Sequence, residues 1–139
     1  MRITLAFAAA VTLAFAMPTG AVAQSGGGKQ IVSLYRVAPG HQVMFVKWLA
    51  EQDRIAAAAG VAPGQLYVHT SGDSWDYMLV NPQTTQAQDD AIDAAAKKLG
   101  LIYGPRVGIE IRKHLSSHTD TLVNGPMSAA DYLASIGEK

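Results

Sequence analysis

The sequence contains no cysteine. That excludes a disulfide scaffold, a cysteine nucleophile, a thiolate metal site and a lipidated N-terminal cysteine. Charge of one sign is also missing: 11 basic and 11 acidic residues balance over 139 positions. A nucleic-acid binder shows a basic surplus, whereas the basic residues here are scattered and form no aromatic-interleaved patch. No Gly-x-Ser-x-Gly elbow occurs, and Gly26-Gly27-Gly28 has no helix after it to make a phosphate loop. No apolar run reaches the roughly 20 residues of a membrane-spanning helix. What is left is one domain, since the chain is too short for two.

The first 23 residues differ from the rest. Arg2 gives a positive start, Ile3 to Met17 are uncharged and apolar, Pro18 and Gly20 break a helix, and Ala21-Val22-Ala23 offers small residues for cleavage. This three-part pattern predicts a secretory signal peptide cut after Ala23 and a periplasmic or secreted bacterial protein. No membrane contact is expected after cleavage. Residues 24–30 read as a flexible linker rich in Gly. The folded domain is expected over 31–136.

That domain reads as strand, helix, strand, strand, helix, strand. Ile31 to Val37 alternates in β-rich residues until Ala38-Pro39-Gly40 stops it. From His41 to Ala59 the spacing is helical, with Phe45, Leu49 and Ala56 on one stripe and Val46 and Ala50 beside it; Gly60 caps the end. Gln65–Thr70 and Trp75–Val80, joined by Ser71-Gly72-Asp73-Ser74, make a hairpin. A second helix starts at Thr84 or Thr85 and continues, after Gly100, as a segment from Gly104 to Leu115 with Pro105 at its first position. Ser117–Val123 is the last strand. A tail helix follows from Ser128, with Ala129, Tyr132, Leu133 and Ile136 packing back.

The order βαββαβ is the ferredoxin-like α+β arrangement, an antiparallel sheet with helices on one face, here with an extra C-terminal helix. Ile31, Ser33, Tyr35 and Val37 share one face of the first strand; Val32, Leu34 and Arg36 share the other. Both faces are apolar, so the helix-facing side stays open. An apolar face without helices calls for a second copy as cover.

Several of these pieces together resemble the dimeric α/β-barrel superfamily over about residues 30–136. They are the strand ending Tyr35-Arg36-Val37-Ala38-Pro39-Gly40, the helix with Phe45 and Trp48, the hairpin with Trp75-Asp76-Tyr77-Met78, and the final strand before a tail helix. Ser117-His118-Thr119-Asp120-Thr121 with Gly125-Pro126 is similar to uncharacterised exported proteobacterial members. The resemblance implies a ferredoxin-like fold and a homodimer. It implies no reaction, because the superfamily spans cofactor-independent monooxygenases, isomerases and haem-dependent members.

Candidate chemistry rests on few residues. His118 and Asp120, at i and i+2, share a strand face, where a carboxylate orients an imidazole and raises its basicity. His69 is a second candidate base. Tyr35, Tyr67, Trp75 and Tyr77 are candidate walls for a planar ligand, or equally interface residues. Arg36 would bind an anion or pair with Asp76 or Glu110. His114 and His118, four apart, would hold a metal or sit against haem only on a continuous helix, and Ser116-Ser117 interrupt it; His114 also lacks the following Glu of an HExxH motif. The expectation is an exported homodimer that binds a small organic molecule between sheet and helices, with no cofactor and no nucleic-acid partner. The alternatives are a cofactor-independent monooxygenase- or isomerase-like enzyme with a His base, and a haem or metal protein.

Overall fold

β-branched and aromatic residues dominate the stretch around Ile31 to Val37, and a strand buried on one face is the outcome. The computed structural model describes residues 28–72 and 74–138. The expected signal peptide, the linker up to residue 27, and Asp73 lie outside the described residues. The elements are β1 (Gly28–Val37), α1 (Gln42–Ala58), β2 (Gln65–Val68), β3 (Tyr77–Pro82), α2 (Gln86–Lys98), α3 (Arg106–Arg112), β4 (Leu115–Gly125) and α4 (Ala129–Ser135). The four strands form one antiparallel sheet in the order β2-β3-β1-β4, consistent with a ferredoxin-like arrangement. None of the described helices is long and apolar enough to cross a membrane.

β1 is the central strand. It pairs with β3 from Gln30↔Pro82 to Tyr35↔Tyr77, and with β4 from Gly28↔Gly125 to Val37↔Leu115. This pairing settles the face that sequence leaves open. Ser33, Tyr35 and Val37 are buried toward the helices, and Val32 and Leu34 point the other way. Phe45 and Leu49, one turn apart on α1, fill the space against Tyr35 and Val37, with Trp48, Tyr77, Leu79, Ile111 and Leu115 around them. The Tyr35 and Phe45 ring centres lie 5.1 Å apart.

A second cluster joins the helices. Ile55 of α1 packs on Ala95 and Ala96 of α2, with Ile92 and Leu101 beside them. Small alanines let the two backbones approach. Of the expected stripe, Phe45 and Leu49 are buried and Ala56 is half-buried, but Val46 and Ala50, expected beside it, are exposed, and Ile55 completes the buried face instead. α2 begins at Thr85, whose hydroxyl accepts from the Gln88 N–H while the Gln88 side chain takes the Thr85 N–H. Gly60 and Gly100 follow α1 and α2 at φ +69° and +70°, the left-handed conformation that ends a helix at little cost only in glycine.

Four boundaries differ from expectation. β1 starts at Gly28, inside the expected linker, because β4 extends to Gly125 and pairs with it. The segment after Gly104 is helical only to Arg112, and Pro105 is its cap rather than its first residue. Leu115, expected on that helix, opens β4. The hairpin strands are shorter toward the turn, ending at Val68 and resuming at Tyr77. In α4, Ser128 and Asp131 form a capping box, yet Tyr132, Leu133 and Ile136 remain exposed and do not pack back.

Phe45 is fully buried and touches both sheet strands' aromatics. Phe45→Ala should therefore cost about 3–5 kcal/mol in urea unfolding, whereas Val43→Ala, on the exposed side of the same helix, should stay within about 0.5 kcal/mol. Equal effects would contradict this packing.

Candidate functional site

Because β1 and β4 pair in register, residues far apart in sequence meet on one face. Ser33 stands opposite Asp120, and Tyr35 opposite His118. The Ser33 hydroxyl donates to Asp120 Oδ1 at 2.6 Å, a short charge-assisted bond. Ser33 is buried, so this bond satisfies a polar group that would otherwise be costly in the core. The His118 ring stacks on Tyr35 with centres 6.2 Å apart and planes 23° from parallel. His118 Nε2 lies 3.6 Å from Asp120 Oδ2, beyond hydrogen-bond range but close enough for attraction once the imidazole is protonated.

Tyr35 is 6% exposed, while the side chains of His118 and Asp120 are 33% and 53% exposed. The group thus grades from core to solvent across one strand pair. Burial pushes the Tyr35 phenol above its ordinary value; a hydrogen bond with the Ser33 side chain opposes this, and the charge of Asp120 adds to it. Tyr35 therefore stays a neutral phenol, a hydrogen-bond donor at working pH.

Next to this group is a cleft of about 310 Å³ between β1, β3 and α1. Ile31, Tyr35, Trp48, Leu49 and Leu79 supply apolar and aromatic wall; Gln52 and Asn81 supply polar groups. Tyr35 belongs to both the cleft and the polar group. Gly64 is at the rim, where a Cβ would come within 3.0 Å of Leu79 Cδ1 and collide with the Asn81 amide. A side chain there would close the opening.

The other expected site residues lie elsewhere. Val68 pairs with Tyr77 and Tyr67 with Met78, so Tyr67 and Tyr77 point to opposite faces. Tyr77 joins the core beside Phe45, at 5.5 Å between ring centres, whereas Tyr67 is exposed and donates to Gln65. The candidate hairpin residues therefore do not line one site: Tyr77 is in the core and Tyr67 on the open face. His69 and Trp75 do meet, at 4.9 Å between ring centres, but at the end of the hairpin. Arg36 pairs with neither Asp76 nor Glu110. Its guanidinium donates twice to the Ser74 carbonyl, at 2.8 and 2.5 Å. Asp76 instead accepts from the Val37 N–H at 2.7 Å, where the β1–β4 register shifts. Both charges pin the hairpin loop to the end of β1. His114 turns to His41 rather than His118, with Nδ1 atoms 3.4 Å apart.

Ser33, Trp48 and Asn81 were not among the site residues expected from sequence. The one signal for Ser33 was its polarity within an apolar strand face.

No family model matches the chain, and no solved structure matches it. A stretch of 60 residues is 35% identical to a Protease HtpX homolog from Acidiphilium cryptum (strain JF-5), covering 43% of this chain and 21% of that protein. The chain thus spans about a fifth of the length of that curated relative. Among the described residues, no group of three or more His, Asp or Glu side chains is placed to hold a metal ion.

The Tyr35 shift has a measurable consequence. With the folded pKa above the unfolded one, the stability due to the neutral phenol is full below pH about 10 and is lost as pH rises through the folded value. Tyr35→Phe should flatten the loss of urea stability above pH about 10. An identical alkaline decline in both proteins would contradict the burial of this phenol.

Proposed function

We propose that this protein is exported and binds a small organic molecule in the cleft between β1, β3 and α1. The cleft carries the reading. It is concave, mostly apolar, bordered by Trp48 and Tyr35, and marked by a few polar groups, which is the usual make-up of a small-ligand site. Those groups suit a planar, largely apolar ligand with a hydrogen-bonding substituent. The signal-like segment of residues 1–23 supports export.

A homodimer belongs to the same proposal. Val32, Leu34, Met78 and Val80 align on the sheet face opposite α1 through the register Val32↔Val80 and Leu34↔Met78. A second copy stacking there, as in the dimeric α/β barrels the sequence resembles, would keep these side chains from water.

The second reading is an enzyme of the cofactor-independent kind, with His118 as proton acceptor. It is favoured by the stack of His118 on Tyr35 and its proximity to Asp120. His69, at the hairpin end with Trp75, is no longer part of that reading. In this form His118→Ala abolishes turnover and leaves binding intact.

Titration with a fluorescent anilinonaphthalene probe tests the cleft. Binding should be saturable, quench the tryptophan fluorescence and weaken about tenfold or more in Ala56→Leu, which adds bulk to the α1 wall. Unchanged affinity in Ala56→Leu would move the site elsewhere. Light scattering on the same sample should give twice the chain mass; a monomer would remove the second copy as cover.

A further inference from the structure

Two histidines outside the cleft meet in a geometry that the function above does not use. His41 is the cap residue before α1, and His114 lies in the link between α3 and β4. They are 73 residues apart in sequence, and their Nδ1 atoms are 3.4 Å apart. This is longer than an ordinary N–H hydrogen bond of about 2.7–3.2 Å. It matches the spacing of two nitrogens bound to one tetrahedral Zn²⁺: with Zn–N of about 2.0–2.1 Å, tetrahedral angles place them about 3.3–3.4 Å apart.

The backbone holds both residues in place through one neighbour. The Ala38 N–H donates to the His114 carbonyl at 2.8 Å, and the His41 N–H donates to the Ala38 carbonyl at 3.0 Å. His114 also donates to Ile111, and His41 accepts from Phe45 as α1 begins. The two imidazoles are therefore presented together before any ligand arrives, which lowers the ordering cost of chelation. The rings are tilted by 54°, with centres 5.6 Å apart, so they do not stack and the nitrogens face each other at their edges.

The surroundings favour a cation in part. A cleft of about 340 Å³ on the His114 side is lined by Glu51 and Glu110 as well as Lys47. The Glu110 carboxylate already binds Lys113 at 2.6 Å, so it offsets that lysine rather than ligating. The imidazoles remain the two protein donors, and water fills the other positions.

We propose that His41 and His114 form a two-histidine site for a borderline transition-metal dication, Zn²⁺ or Cu²⁺, that ties the start of α1 to the start of β4. Both rings bind through Nδ1, with the metal ion seated between the two nitrogens.

The test uses the chain expressed without a polyhistidine tag and titrated with Zn²⁺ alone. At pH about 7.5 Zn²⁺ should raise the unfolding midpoint with its concentration, and a chelator should reverse the rise. His41→Gln and His114→Gln should each weaken binding about tenfold or more, while His118→Gln and His69→Gln retain it. No rise in the wild type, or a rise that survives either of the first two variants, overturns the site. Should those variants unfold, electron paramagnetic resonance of the Cu²⁺-loaded wild type decides. Coupling to two imidazole nitrogens supports the pair, and coupling to one or none refutes it.

Discussion

The pairing of β1 with two partners at once is the constraint on which the rest of the molecule depends. A strand with apolar residues on both faces has no intrinsic preference for either, and a slip by one residue exchanges them. β3 on one side and β4 on the other fix the register of β1 over most of its length. That register sends Tyr35 and Val37 into the helices and Val32 and Leu34 away from them. The contact of Phe45 and Leu49 with the sheet, and the position of α1 above it, follow from this choice.

The same register also creates the polar group. Ser33 and Asp120 are 87 residues apart and meet because β4 runs antiparallel to β1 in that alignment. The buried serine hydroxyl needs an acceptor, and the carboxylate provides one without leaving solvent entirely. Tyr35 connects this group to the cleft. At the other end of β1 the bulge at Arg36 and Val37 frees a backbone N–H, and Asp76 takes it. Arg36 and Asp76 thus serve the loop before β3, which explains why neither is available to a ligand. Ala38, just past the bulge, anchors His41 and His114. One strand therefore organises core, cleft, hairpin and histidine pair.

Element order was legible in the sequence because Pro, Gly and capping residues punctuate it clearly: Pro39-Gly40, Gly60, Thr85, Gly100 and Ser128 all stand at element ends. The inner face of β1 was not legible, since Ile31, Tyr35 and Val37 are no more apolar as a set than Val32 and Leu34. Only pairing with β3 and β4 decides it. Ile55 was overlooked because its partners, Ala95 and Ala96, are small and lie on a different helix. One helical segment was expected from Gly104 to Leu115, but Ile111 and Leu115 reach the same core from two different elements. His118 and Asp120 were found as a strand-face pair, which needs only period-two reasoning; the link from Asp120 to Ser33 is a long-range contact with no local signature. The same holds for His41 and His114. The exposed apolar side of α4 reverses the expectation that it would pack on its own domain.

The register of β1 is tested most directly by nuclear Overhauser contacts from the Tyr35 ring. Cross-peaks are expected both to the Phe45 ring, with centres 5.1 Å apart, and to the His118 ring, with centres 6.2 Å apart. Contacts from Leu34 to Phe45, with none from Tyr35 to His118, would show the opposite face of β1 turned inward and would contradict the core and the site together.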